Sequence, residues 1–477
     1  MRPLRVLTNR ATPTDAAGQR VALVAAATGG FLTPFMGSAV TIALPAIASE
    51  FQLDAASLGW VTSAFILAAA ALLLPFGRLA DIVGRRRVFV AGLAVFAVAT
   101  LLCAAAPSGR LLIAFRLLQG AGGALVFGTG TAILTSVYPP ARLGRALGIA
   151  VACVYLGLSL GPFLGAVLTA WIGWRGIFVF TAPFAAAAAG LVAVYLKGEW
   201  AEAEGEEFDL TGALLYGGAL VALMVGLARV ADLAGVALAA AGVLGLGVFL
   251  AWEARARSPL LDLRLFRANP VFLYSNLAAL INYSATFGVP FLLSLYLQVV
   301  RGLAVETAGT ILVVQPIVQS LVSPLAGWLS ERVEPRIIAS AGMGVIVFAL
   351  LGLTALDETT GLGFLLALLA LLGFGFASFS SPNTNAVMGA VEPRVYGTAS
   401  GILGTMRLLG QMLSMALILL LFSLIMGDTQ LTPRLYPLFL KSARVAFGVF
   451  AVLCAAGVFA SLRRGDVRLR PRGTAAA

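Results

Sequence analysis

Long apolar runs, each about twenty residues or more, recur along almost the whole chain, separated by short polar breaks. A run of that length and polarity is what a helix needs to cross a bilayer. Fourteen such spans are expected, centred within 21–48, 56–76, 88–106, 111–136, 146–169, 174–196, 210–228, 233–252, 270–298, 305–329, 337–356, 362–385, 397–426 and 443–462. The densest break among the first six runs lies at 77–88, where four arginines and one aspartate share a connector too short for a domain and too charged for hydrocarbon. It reads as a tight turn between spans 2 and 3.

Composition narrows the class further. Of the 477 residues, 60% are hydrophobic and 11% charged, and mean hydropathy is +0.99. A soluble domain is nearer half apolar and a quarter charged. The expected class is therefore an all-α integral membrane protein. The run after Arg20 is too long for a signal peptide and reads as a retained first helix.

The net charge of +11 does not point to nucleic acid. Most of the 32 lysines and arginines fall in alternate loops and the two tails. That asymmetry sets topology, and it puts both termini in the cytoplasm of a cell (inner) membrane. Cys103, Cys153 and Cys454 lie inside apolar runs without metal spacing and read as packing residues. Histidine is absent, which removes the commonest metal ligand and the usual near-neutral proton carrier. No metal, cofactor or nucleophile–base pair is expected, and the chain does not read as an enzyme. A primary pump is disfavoured by the lack of a phosphate-binding loop.

The chain also carries an internal echo. Gly77, Asp81 and the arginines 85–87 follow span 2; Gly327, Glu331, Arg332 and Arg336 follow span 10 in a weakened copy. Pairing spans 1–6 with 9–14 leaves spans 7 and 8 as an insertion. The expected division is a tail at 1–20, a six-helix half at 21–196, a linker with two inserted spans at 197–269, a second half at 270–462 and a tail at 463–477. Two such parallel repeats with a midplane site are the plan of a rocking secondary transporter.

Three motifs then carry a resemblance. Gly77, Asp81, Gly84, Arg85, Arg86 and Arg87 form the first, in the loop between spans 2 and 3. Arg116, Gln119, Gly120 and Gly122 form the second, in span 4, and Gly157, Gly161, Pro162 and Gly165 the third, in span 5. In this order, with Trp174-Arg175 and Arg407 downstream, the chain resembles a major facilitator superfamily transporter of the fourteen-helix drug:proton antiporter branch. The resemblance covers residues 20 to about 462 and implies a major facilitator fold of two six-helix bundles plus two inserted helices. It also implies that Asp81 accepts amide hydrogen bonds at the start of span 13, near Gly397, as a latch between halves, with Arg85 and Arg86 adding ion pairs. The bland alternative for this loop is a simple topology anchor.

Other residues are singled out by depth and polarity. Arg116 and Arg407 lie inside spans, where charge is costly and marks candidate coupling sites; Arg116 could also reach the outer interface. Gly157, Gly161 and Gly165 share one face and permit close helix contact, while Pro162 can bend span 5, so a hinge is expected there. Candidate cavity residues are Phe35, Met36 and Thr41 in span 1; Asn282 and Tyr283 in span 9; Gln315 and Gln319 in span 10; Asn383 and Asn385 in span 12; and Gln411 in span 13. No acid falls deep in a span, and Met36 stands where many members of the branch carry an aspartate. Proton exchange is thus implied only by the resemblance, and two intramembrane arginines favour anionic or neutral substrates.

The leading expectation is an exporter of amphipathic or hydrophobic small molecules, working by alternating access as a monomer in the lipid bilayer, with protons as the implied exchange partner. The alternatives are an exporter of an organic anion or lipid-like metabolite without classical proton coupling, and a non-transporting sensor or scaffold.

Overall fold

The computed structural model describes residues 16–261, 263–392, 395–427 and 435–465. Fourteen helices in it are long and apolar enough to cross a membrane. They are Ala16–Phe51, Ala55–Val83, Arg85–Ala104, Gly109–Val137, Pro140–Ile172, Arg175–Tyr195, Leu210–Ala228, Leu233–Glu253, Pro270–Val300, Val305–Ser330, Pro335–Leu353, Leu362–Gly389, Tyr396–Ile425 and Tyr436–Arg463, spans 1 to 14 in that order. Each coincides with an expected apolar run. Span 1 begins at Ala16, inside the expected N-terminal tail.

The connectors end the helices by recognisable chemistry. Asp54 accepts from the Ser57 amide, Ser108 from Leu111 and Asp209 from Gly212, each satisfying a free donor at a helix start. Gly84, at φ +120°, turns the chain between spans 2 and 3 in a conformation that a side chain rarely adopts.

Two long spans are broken where proline dictates it. Pro290 has no N–H and its ring crowds the carbonyl of Thr286, so span 9 splits at Phe287–Gly288. The freed Gly288 amide is taken by Ser414 Oγ of span 13 at 2.9 Å. Span 9 then ends in a π-helical turn, Tyr296–Val300. Pro316 acts likewise on Leu312, and span 10 restarts at Val314.

Spans 1–6 pack on one another, and spans 9–14 do the same. The pairings repeat at an offset of eight: spans 1 with 5, 3 with 4, 2 with 4 and 3 with 6 correspond to 9 with 13, 11 with 12, 10 with 12 and 11 with 14. The bundles meet through spans 2 with 13, 5 with 10, and 1 with 9. Spans 7 and 8 form a hairpin whose first helix lies against spans 2 and 13, with Tyr216 donating to the Ala70 carbonyl at 3.1 Å.

Cross-bundle contacts are uneven along the spans. The face carrying the loop at 77–88 is called the basic-loop face here. Towards the opposite face, Ser294 Oγ donates to the Thr41 carbonyl and Gln298 Nε2 to that of Ile42, both at 2.9 Å. Gly309 of span 10 lies against the Pro162 carbonyl and Ala166, and Gly59 against Leu419. At mid-depth Ser159 Oγ donates to the Pro316 carbonyl at 3.2 Å and stands 3.1 Å from Ser320 Oγ. Among the described residues, the hydrogen bonds that join the two bundles directly are confined to these depths; the seam between the bundles beyond them is the cleft, and Gly404 of span 13 faces Phe127 and Leu73 across it.

Candidate functional site

The basic loop is held by a strap. The connector after span 6 is acidic, with Glu199, Glu202, Glu204, Glu206, Glu207 and Asp209 within eleven residues, and it folds back over the loop. Its backbone joins first: the Arg85 amide donates to the Trp200 carbonyl and the Ala203 amide to the Asp81 carbonyl, both at 2.9 Å. Glu199 Oε1 then accepts from the Arg86 amide at 2.8 Å and so caps the start of span 3 from a distant segment. A Cβ on Gly84 would lie 2.4 Å from the Glu199 carboxyl, so the glycine makes room for this cap. Arg78 pairs with Glu206, and Arg86 Nη2 donates to the Ala193 carbonyl at 2.8 Å.

Arg85 is the centre of this arrangement. The residue is 5% exposed, and its guanidinium holds Asp81 at 2.8 Å, Glu202 at 2.7 Å and Ser136 Oγ at 2.7 Å. Asp81 is therefore engaged by Arg85, one helical turn on, and not by amides of span 13 as the resemblance implies. The reason is local: Arg85 lies one turn from Asp81 on the same face, and the strap lies over the motif, bonded to it by the Ala203 amide and Glu202.

The opposite end has its own lock. Glu50, at the end of span 1, accepts from Trp174 Nε1 and Arg175 Nη1 at 2.7 Å each, and the Arg175 guanidinium stacks over the Trp174 ring at 4.2 Å.

The two intramembrane arginines differ. Arg116 is fully enclosed within the first bundle. Its Nε donates to the Val61 carbonyl at 3.1 Å, Nη1 bonds Gln119, and the guanidinium lies 4.6 Å from the Phe65 ring centroid. Gln119 passes the chain on to Thr100 Oγ1 at 2.7 Å. Arg116 thus ties spans 2, 3 and 4 together and does not reach the interface. Arg407, in span 13, is half-buried. Its Nη2 donates to Thr384 Oγ1 at 2.9 Å, and it lies 5.8 Å from the Tyr283 ring centroid.

Helical geometry, 100° per residue, shows which way Arg407 faces. Gly404, one turn away, looks across to Phe127 and Leu73 of the first bundle, whereas Gly410 packs on Leu280 and Tyr283 of span 9. Arg407 lies between these directions, on the edge of the cleft. Gln411 shares the Gly404 direction and is half-buried. Tyr283 stands perpendicular to Phe376 of span 12, with ring centroids 5.3 Å apart.

The remaining candidates scatter. Phe35 and Met36 are fully buried, and Phe35 stacks on Phe31 at 5.4 Å. Thr41 donates to the Gly37 carbonyl, within the closed region. Gln315 and Gln319, four residues apart, share a face of span 10; the Gln315 carbonyl lies against Gly373 of span 12, and Gln319 Nε2 is buried without a partner. Asn282 is fully buried with neither amide atom bonded. Asn385 bonds Ser330 Oγ at 2.7 Å. Asn383 belongs to a structural knot: its Nδ2 donates to the Ser275 carbonyl, and its Oδ1 accepts from Arg464 at 3.1 Å. Arg464 falls in the expected tail but is 1% exposed, donates also to the Pro335 carbonyl, and is pushed down to about 10 by burial.

The glycine stripe of span 5 lies on span 1. A Cβ on Gly157 would meet the Phe31 carbonyl oxygen at 2.4 Å, and one on Gly165 would meet Ala39 Cα at 2.8 Å. Gly161 faces Ser38 Oγ. The stripe is thus a close contact inside one bundle, while Ser159, Pro162 and Ala166 of the same helix face the other bundle.

Sequence reasoning missed the acidic strap, Thr384 and Phe376. The strap had a signal, a run of acids opposite in charge to the most basic loop but far from it in sequence. Phe376 had none, since one aromatic inside an apolar run looks like packing.

A family model described as Major Facilitator Superfamily matches residues 26–415 and 305–476. The chain is 35% identical to the cephamycin export protein of Amycolatopsis lactamdurans over 423 residues, covering 86% of each chain. It is 30% identical to the tetracenomycin C resistance and export protein of Streptomyces glaucescens over 411 residues, 85% of this chain and 76% of that one. It is 29% identical to the riboflavin transporter RibZ of Clostridioides difficile over 390 residues, 81% of this chain and 84% of that one. Among solved structures, a bacterial homolog of the human lysosomal transporter Spinster, inward-facing and unoccupied, superposes with a TM-score of 0.69 at 18% identity, over 94% of this chain and 98% of that one.

Proposed function

The chain belongs to the Major Facilitator Superfamily, and from that membership we propose that it is a secondary active exporter of amphipathic or hydrophobic small molecules, working by alternating access between two six-helix halves, 21–196 and 270–462. The observation that supports this reading is the join between two repeated bundles, which meet through spans 2 with 13, 5 with 10 and 1 with 9 and are hydrogen-bonded to one another at mid-depth and towards the face opposite the basic loop. Two repeated bundles that meet along such a seam are the geometry that a rocking motion inverts. The charge asymmetry of the loops orients it, with both termini and the basic loop in the cytoplasm and the protein in the cell membrane. In that orientation the hydrogen bonds from Ser294 and Gln298 to span 1 lie on the side away from the cytoplasm. The export named for the cephamycin and tetracenomycin C relatives supports a small organic substrate.

The motifs take mechanical roles in this reading. Asp81, Arg85 and Arg86, with Glu199 and Glu202 of the strap, form a latch whose partners exchange when the cytoplasmic ends close. The stripe at Gly157, Gly161 and Gly165 fixes span 5 to span 1, so that both move as one body past span 10. Proton exchange is not part of the proposal, because the acids of the described spans sit at helix ends and leave no carrier at mid-depth.

The test is exchange by the purified full-length protein in proteoliposomes, screened with cationic, neutral and anionic lipophiles, with and without an imposed pH gradient. Saturable exchange of at least one class supports the reading. Exchange no faster than in protein-free liposomes for every class overturns it.

A further inference from the structure

Resting on the exporter reading, we propose that the cleft contains an anion subsite, built from Arg407, Thr384, Tyr283 and Phe376, that takes the carboxylate or sulfonate of an aromatic organic anion.

Arg407 lies eleven residues into span 13, about 17 Å along the axis from Tyr396. A guanidinium at that depth is expensive unless something compensates it. Spans 9, 12 and 13, which surround it, contain no aspartate or glutamate. The bonded neighbour is neutral. Thr384 gives its hydroxyl proton to the Ser380 carbonyl at 2.9 Å, so its oxygen only accepts, and it takes the Arg407 Nη2 hydrogen at 2.9 Å. The threonine therefore aims the guanidinium without neutralising it. Arg407 Nε is buried and meets no acceptor, and the Arg407 side-chain hydrogen bond seen among the described residues is the one from Nη2. A guanidinium has five donors in a planar fork that fits a two-oxygen anion. Here most of the fork is unused, on the edge of the cleft.

The second half of the site is aromatic. The Arg407 guanidinium carbon stands 5.8 Å from the Tyr283 ring centroid, and that ring meets Phe376 edge-on at 90°. Phe376 is buried and, set at right angles, backs the half-buried Tyr283 ring, which offers its aromatic surface to a planar apolar body whose charged end reaches the fork. Arg116 differs in being fully enclosed and in donating from both Nε, to a backbone carbonyl, and Nη1, to Gln119, with Nη2 alone buried without a partner.

Two probes that differ only in charge test the subsite: 1-naphthaleneacetate and its neutral amide, 1-naphthaleneacetamide. Affinities are measured on the full-length protein in detergent, and the readout is their ratio, which a general structural effect leaves unmoved. The wild type should bind the carboxylate about tenfold tighter than the amide. Arg407→Gln should bring the ratio close to one, and Arg407→Lys should keep it clearly above one. Thr384→Val leaves the charge but removes its aim, and should give an intermediate ratio, which keeps the proposal testable if Arg407→Gln is not recovered folded. A wild-type ratio near one, an unchanged ratio in Arg407→Gln, or no binding of either probe overturns the subsite. The exporter reading has its own readout, since exchange of a neutral or cationic lipophile by the same protein in liposomes would leave it standing.

Discussion

Arg85 holds Asp81 at 2.8 Å and Glu202 at 2.7 Å with one guanidinium, so that a single buried cation joins the end of span 2 to the strap after span 6. The charges of the basic loop, for which a simple topology anchor is the alternative reading, are paired with each other, with the strap and with the end of span 6. An anchor needs only positive charge in water, whereas this arrangement also requires the aspartate, the acidic strap and the glycine at 84.

Removal of that cation should be felt as lost stability. Arg85→Ala leaves Asp81 and Glu202 unpaired beside a buried void, a loss of about 3 kcal/mol by analogy with broken buried pairs. Thermal unfolding in detergent should show a clearly lower midpoint than the wild type. Glu202→Gln should shift the midpoint much less, because Glu202 is largely exposed and water screens its pair. Equal effects for the two would contradict the central place given to Arg85.

Asp81 separates stability from motion. Asp81→Asn keeps the shape and the hydrogen-bonding oxygen but loses the charge. Exchange by the variant in proteoliposomes should fall at least about tenfold, in line with one lost charge-assisted bond in the closing state, while membrane insertion is unchanged. Wild-type exchange rates would leave the latch without support.

The span 5 stripe makes a steric prediction. Gly157→Ala and Gly165→Ala each force a methyl against span 1 backbone that cannot move aside cheaply, costing about 1–3 kcal/mol. Gly190→Ala, in span 6, meets nothing within 4 Å and should melt like the wild type. Melting curves of the three variants side by side decide the matter.

Much of this was legible in the sequence because the bilayer imposes so strong a pattern. Every span coincided with an apolar run, and the duplication showed in the paired loops at Gly77 and Gly327, since a repeated fold repeats its turns. The site was less legible. Arg116 and Arg407 look alike as charges inside apolar runs, and only packing separates the enclosed one from the one on the cleft. Asn383 looked like a cavity residue because buried amides are costly, yet its partners are Ser275 and Arg464, the latter from what read as a solvated tail. Polarity at depth reports that a group has a partner or a ligand; it does not tell which. The strap went unread because its acids are far in sequence from the arginines that they meet.

The central claim is that two bundles move past one another, and Ser159 and Ser320 sit where that motion must pass. Their Oγ atoms are 3.1 Å apart across spans 5 and 10. In an otherwise cysteine-free background, with Cys103, Cys153 and Cys454 replaced, the pair Ser159→Cys and Ser320→Cys should form a disulfide on mild oxidation. Substrate exchange in proteoliposomes is then measured before oxidation, after it, and after reduction. The account predicts exchange that stops on crosslinking and returns with reductant. Undiminished exchange by fully crosslinked protein would contradict it.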